Sequence, residues 1–168
     1  MAVSELAPVL AQEVAVLADA LRTRGWRLAT AESCTGGLLA AACTALAGSS
    51  DWFERGVVSY SNAAKTDLLG VPPPLIGRHG AVSAEVAQSM AEGALQRSTA
   101  HIAVAVTGIA GPSGGTPDKP VGTVWLAVAL HHTPTETRLL QLHGDRAAVR
   151  QQTVAAALNA LNAALTAH

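Results

Sequence analysis

The sequence predicts an α/β fold, a three-layer α/β/α sandwich built on a mixed sheet. Two patterns carry this reading. In the first half of the chain, short apolar stretches alternate with helical patterns, the order that lays parallel strands beside crossover helices. Between residues 101 and 142 the apolar stretches follow one another with no helix between them, which adds antiparallel strands. The size fits: 168 residues with 49% hydrophobic and 14% charged content can bury one sizeable core. No internal repeat, low-complexity segment or Gly/Pro/Ser-rich linker divides the chain, so residues 1–168 read as one domain.

The elements follow in order. Residues 4–24 place Leu6, Val9, Leu10, Val14, Leu17 and Leu21 on one helical face, with Ser4 as a cap and Gly25 as the stop. A short strand over 26–31 runs into Glu32-Ser33-Cys34-Thr35-Gly36-Gly37, and a small-residue helix occupies about 36–47. Gly48-Ser49-Ser50 breaks the chain before a strand at 56–60. A short helix spans Asn62 to Leu69 and is stopped by Gly70 and the Pro72-Pro73-Pro74 run. Ser83 caps a helix that reaches about Gln96. Residues 101–107, rich in Val and Ala, read as a strand buried on both faces. A Gly- and Pro-rich loop from Gly108 to Pro120 leads to an apolar strand at 121–130, and a more polar strand at 136–142 sits nearer an edge. The last helix covers about 146–166.

The composition also excludes functions. A formal net charge of -1 gives no electrostatic case for nucleic acid or an anionic membrane as partner. No uninterrupted apolar run approaches the roughly 20 residues a spanning helix needs. The N-terminal stretch, with Glu5 and Glu13, lacks a signal pattern, so a cytoplasmic location is expected. The two cysteines, Cys34 and Cys43, form neither a disulfide framework nor a zinc site. No His, Asp and Glu cluster has ligand spacing, so no metal is expected.

Four segments can carry chemistry. Ser33 sits on a strand-to-helix turn, where it is either a nucleophile or a helix cap. Cys34 is the rival nucleophile, but no histidine lies in any motif near it, and a free cysteine is often simply buried. Tyr60-Ser61-Asn62-Ala63-Ala64-Lys65 occupies a second strand end. The chain has nine arginines but only two lysines, Lys65 and Lys119, and Tyr60 is its one tyrosine. Lysine can lose its proton in a desolvated site and arginine effectively cannot. Lys65 is therefore either a general base beside Ser33 or a solvated surface residue. The loop Thr107 to Gly115 follows a third strand and is either a cradle for a ligand's phosphate or a long connection. Arg146 and Arg150, four apart at a helix start capped by Asp145, either clamp an anion or lie in solvent.

Taken together, Ala31-Glu32-Ser33-Cys34-Thr35-Gly36-Gly37, Gly56 to Lys65, Val106-Thr107-Gly108-Ile109-Ala110-Gly111-Pro112 and Val121-Gly122-Thr123-Val124 resemble the CinA C-terminal domain family. Larger proteins of that family also carry an N-terminal domain resembling molybdopterin-binding proteins. The resemblance implies a five-stranded mixed sheet in the sandwich. It implies a PncC-type activity, hydrolysis of the carboxamide of nicotinamide mononucleotide to nicotinate mononucleotide and ammonia, without a cofactor. The family's catalytic Ser, Tyr and Lys fall on Ser33, Tyr60 and Lys65. The expected mechanism has neutral Lys65 take the Ser33 proton, directly or through Tyr60, while amides around Thr35 and Gly36 hold the oxyanion. Thr35, Gly36, Gly37, Asn62, Thr107, Gly108, Gly111 and Arg146 are the expected substrate-binding residues, with phosphate near the 107–115 loop and Arg146. The expected partner is a small pyridine nucleotide, and the chain is expected to form a homo-oligomer. The alternative function is a non-catalytic nucleotide-binding module or a competence-linked interaction protein.

Overall fold

A computed structural model describes residues 7–168. The elements run α1 (Pro8–Arg24), β1 (Leu28–Glu32), α2 (Leu38–Thr44), β2 (Phe53–Val58), α3 (Asn62–Leu69), α4 (Pro73–His79), α5 (Ala84–Gln96), β3 (Ile102–Gly108), β4 (Thr123–Leu130), β5 (Glu136–Gln141) and α6 (Arg146–Ala167). The five strands form one sheet in the order β2-β1-β3-β4-β5. β1 pairs in parallel with β2 and β3, while β3/β4 and β4/β5 are antiparallel. The mixed sheet and the sandwich are therefore as the pattern of apolar stretches predicts.

The two faces of the sheet differ in side-chain size, and the period of two along each strand is the cause. Leu28, Ile102, Val104, Val106, Leu126 and Val128 point to one face, where they meet α1, α2 and α6. Ala29, Ala31, Ala103, Ala105, Ala127 and Ala129 point to the other, where α5 packs through Val86, Met90 and Ala94. An alanine face lets a helix approach closely. At Gly93 the approach is closer still: a Cβ there would lie 1.9 Å from the Leu69 carbonyl oxygen, so only glycine lets α5 pack against the end of α3.

Several boundaries differ from expectation. α1 begins at Pro8, with the N-cap at Ala7, and Ser4 and Leu6 lie outside the described residues. Val9, placed on the buried face by periodicity, is 72% exposed, because the buried stripe begins at Val14. β2 starts three residues early, at Phe53. The proline run does stop α3, but Pro73 and Pro74 then open α4, since a proline in the first turn loses no hydrogen bond. α2 begins only at Leu38, because Gly36 and Gly37 hold φ of +57° and +103°.

What this topology does for function is to gather three strand ends. β1, β2 and β3 run the same way, so their carboxyl ends open on one crevice. The connection leaving β1 passes over one face through α2, and that leaving β2 passes over the other through α3, α4 and α5. Crevices of this kind, where neighbouring connections part, are where open α/β sheets bind ligands.

Candidate active site

Ser33 follows β1 directly, and its amide donates to the Val106 carbonyl at 3.0 Å, which ties it to β3. The turn after it is held from two sides. On the helix side lies Glu32, fully buried. One carboxylate oxygen accepts from Thr35 Oγ1 at 2.6 Å and from the amides of Gly37 and Leu39 at 3.2 and 2.9 Å; the other accepts from the Ala40 amide at 2.9 Å. A carboxylate on these orphan amides also meets the positive end of α2. On the other side is Arg150, from α6. Its Nε donates to the Cys34 carbonyl at 3.2 Å and its Nη2 to the Thr35 carbonyl at 3.0 Å.

Lys65 lies one turn into α3, whose N-cap Ser61 accepts from the Ala64 amide at 3.0 Å. Its side chain is buried, with 1% exposure. Nζ lies 3.1 Å from Ser33 Oγ, 3.1 Å from the Ser59 carbonyl oxygen and 3.2 Å from that of Tyr60. None of the ion pairs among the described residues includes it. Burial without a carboxylate partner pushes the amine below the ordinary lysine value, against a smaller opposing pull from Cys34. As an ammonium, Lys65 donates to all three oxygens; once neutral, its two N–H groups can stay on the carbonyls while its lone pair accepts from the Ser33 hydroxyl.

Cys34 is buried beside Ser33. Burial, with Glu32 nearby, pushes its thiol up to about 11, against a smaller opposing effect of its own amide. At neutral pH it is a protonated thiol, the unreactive form.

Around Ser33 and Lys65 is a pocket of about 200 Å³ lined also by Cys34, Tyr60, Asn62, Ala81, Val82, Thr107, Gly108, Ala110 and Arg146. Of the expected binding residues, the structure thus brings Asn62, Thr107, Gly108 and Arg146 to the pocket. It does not bring Thr35, Gly36, Gly37 or Gly111. Thr35 is buried with its hydroxyl on Glu32; the Gly36 amide donates to the Ser33 carbonyl at 3.1 Å, and the Gly37 amide donates to Glu32. Gly111 offers its carbonyl to Arg146 Nη1 at 2.9 Å. Tyr60 lines the pocket too: the residue is 60% exposed, its hydroxyl accepts from Arg146 Nη2 at 3.1 Å, and Ser33 meets Lys65 directly.

Sequence reasoning did not place Ala81, Val82 or Ala110 in the pocket. The segment before the Ser83 cap is pinned there by the Thr107 hydroxyl, which donates to the Ala81 carbonyl at 2.9 Å. Nothing in a Gly-Ala-Val sequence announces that contact. Arg150 was legible as a neighbour of Arg146, but its targets are carbonyls 115 and 116 residues away.

With this geometry in view, the comparisons with known proteins are direct. A profile of the CinA C-terminal domain matches residues 10–165. The chain belongs to the CinA C-terminal domain family. It is 58% identical over 142 residues to a CinA-like protein of Mycolicibacterium vanbaalenii, covering 84% of this chain and 34% of that protein. A CinA-like protein of Geotalea daltonii is 53% identical over 152 residues, covering 90% of this chain and 37% of that protein. The chain thus spans about a third of the length of these curated relatives. Among solved structures, the competence/damage inducible protein CihA from Agrobacterium tumefaciens superposes with a TM-score of 0.91 at 43% identity, covering 97% of this chain and 99% of that one. The competence damage-inducible protein A from Klebsiella pneumoniae superposes at 0.90 and 43%, covering 94% and 97%. As a CinA C-terminal domain, the chain has among its described residues no helix long and apolar enough to cross a membrane. Nor do those residues hold a group of three or more His, Cys, Asp and Glu able to take a metal ion.

Proposed function

We propose that this CinA-family domain is an amidohydrolase that converts nicotinamide mononucleotide to nicotinate mononucleotide and ammonia. The observation that carries the reading is the buried Ser33–Lys65 contact at 3.1 Å, with both other polar contacts of Nζ made to carbonyls. Lys65 accepts the hydroxyl proton as Ser33 Oγ bonds to the amide carbon. The tetrahedral intermediate collapses, the C–N bond breaks, and the Lys65 ammonium returns its proton to the leaving nitrogen, which departs as ammonia. Water, deprotonated by the same amine, then cleaves the acyl–Ser33 ester and leaves a carboxylate.

The oxyanion needs donors that the turn has not already committed. Gly36 and Gly37 are committed, which leaves the amides of Cys34 and Thr35. Of these two residues only Cys34 lines the pocket, and we assign its amide as a donor on that ground. Arg146, on the rim with Tyr60, is the cation placed for the substrate's phosphate.

The test is ammonia release from nicotinamide mononucleotide by the purified protein, with Ser33→Ala beside it. Release by the parent that falls to background in the variant supports the reading; equal release by both overturns the nucleophile assignment.

A further inference from the structure

Part of the wall of the catalytic pocket is irregular chain. Ala110 comes from the loop between β3 and β4, and Ala81 and Val82 come from the connection between α4 and the Ser83 cap. None of the three belongs to a helix or strand, so their spacing depends on ties between the two segments. Two side chains make such ties. Thr107 Oγ1, at the root of the loop, donates to the Ala81 carbonyl at 2.9 Å. Lys119, near the loop's far end, donates through Nζ to the His79 carbonyl at 2.9 Å. The loop holds Lys119 in place for this contact. The Thr116 amide donates to the Lys119 carbonyl at 2.9 Å, and the Lys119 amide donates to Thr116 Oγ1 at 3.0 Å. The receiving end suits an ammonium. His79 is the last residue of α4, where unpaired carbonyls favour a cation. Gly80 follows with φ of +78°, and a Cβ there would lie 3.2 Å from Nζ, so the bare glycine lets the ammonium come in. Lys119 is half-buried, and none of the ion pairs among the described residues includes it. It does not line the pocket, so the proton chemistry that explains Lys65 does not explain this second lysine.

We infer that Lys119 is a positioning residue for amide hydrolysis at Ser33: it clasps the β3–β4 loop to the end of α4 and so fixes the spacing of Ala110 from Ala81 and Val82 across the pocket. The inference takes its reaction from the amidase reading of Ser33 and Lys65, while the clasp itself rests on contacts within the free protein. Lys119 touches no reacting atom. Its effect is on binding: a pocket already held at its working width takes up substrate without the entropy loss of ordering two irregular segments. Loss of the clasp should therefore appear in KM and leave kcat nearly unchanged.

The experiment removes the ammonium and keeps its stem. Lys119→Met is expected to raise KM for nicotinamide mononucleotide by about 10-fold, in the range for a lost charge-assisted hydrogen bond, with kcat within a few-fold of the parent. Lys119→Arg retains a charged donor and should return KM to within a few-fold of the parent. Hydrogen exchange of the free protein reads the clasp without substrate. In Lys119→Met the amides of residues 80–83 should exchange faster, while those of β3 stay protected. Calorimetry with nicotinamide mononucleotide should show about the same 10-fold loss of affinity between Ser33→Ala and Ser33→Ala/Lys119→Met. If exchange and affinity change in this way but the parent releases no ammonia, the clasp stands and the amidase reading falls. If ammonia is released and Lys119→Met leaves KM unmoved, or lowers kcat at constant KM, the clasp assignment is overturned. It is equally overturned if KM rises with exchange at 80–83 unchanged, which would make Lys119 a direct substrate contact. Faster exchange throughout β3 would also overturn it, by making Lys119 a general support of the fold.

Discussion

Lys65 and Ser33 illustrate how burial can turn an ordinary residue type into a reactive one. The lysine side chain is out of water and lacks a carboxylate, so its charged form is disfavoured, and its nitrogen lies against a hydroxyl. Arginine at 65 keeps the charge but cannot give up its proton. Lys65→Arg is therefore expected to reduce kcat by about 10²–10⁴-fold, the usual worth of a positioned base, while the protein stays folded; steady-state ammonia release and a thermal melt check this. Cys34 gives the complementary prediction. With its thiol raised to about 11, alkylation by iodoacetamide at neutral pH should be slow, and Cys34→Ala should keep turnover within a few-fold of the parent. Rapid inactivation through alkylated Cys34, read by mass spectrometry, would mean the nucleophile had been misassigned. At this scale the sequence was informative about which residues matter and silent about how they meet. The scarcity of lysine singled out Lys65, but its 3.1 Å contact with Ser33 and the contact of Tyr60 with Arg146 depend on where β1 and β2 end.

The β1–α2 turn shows how an element can be braced from inside. Glu32 accepts from Thr35 Oγ1 and three amides. The charge that caps α2 is thus the protein's own, and the turn does not offer its first helical amides to a substrate. Glu32→Gln keeps the shape but sets an amide N–H₂ against a donor that the carboxylate accepts. It should destabilise the fold by about 1–3 kcal/mol, measured by urea unfolding, the range for an unsatisfied buried donor. Arg150 braces the same turn from α6. Arg150→Met frees the Cys34 and Thr35 carbonyls and loosens the turn that positions Ser33 and the Cys34 amide. The expected result is a fall in kcat on the order of 10²-fold with KM little changed, and partial rescue by added guanidinium. A fall in KM-limited binding alone would place Arg150 on the substrate instead. The elements themselves were largely legible, because the caps Ser83 and Asp145 and the Ala/Val runs follow local rules. α4 was not, because a triple proline reads as a break when it is in fact a first turn.

For the whole molecule, the sheet order places three strand ends at one crevice, and burial there lowers the pKa of Lys65. The depressed Lys65 has a consequence for stability. Below its folded value the ammonium is buried, and the native state carries the full desolvation penalty. Between that value and the ordinary 10.5, the unfolded chain still holds the proton that the native state has released, so stability rises with pH relative to a variant without the amine. The stability advantage of Lys65→Met over the parent should accordingly shrink as pH rises toward 10.5, as read from paired urea titrations. On the proposed amidase mechanism, kcat/KM should climb with pH to a plateau whose midpoint lies below 10.5, as the fraction of neutral amine grows. The architecture was readable in advance because alternating and then consecutive apolar runs leave few topologies. The pocket wall from Ala81 to Val82 was not, since its place comes from contacts between segments far apart in sequence. The most direct test of the Ser33–Lys65 amidase is mass spectrometry of protein quenched during turnover of nicotinamide mononucleotide, with ammonia measured in the same reaction. The account predicts stoichiometric ammonia and a nicotinoyl-nucleotide ester on the peptide bearing Ser33, both missing in Ser33→Ala. Ammonia release that persists in Ser33→Ala, or an acyl group found on Cys34, would contradict it.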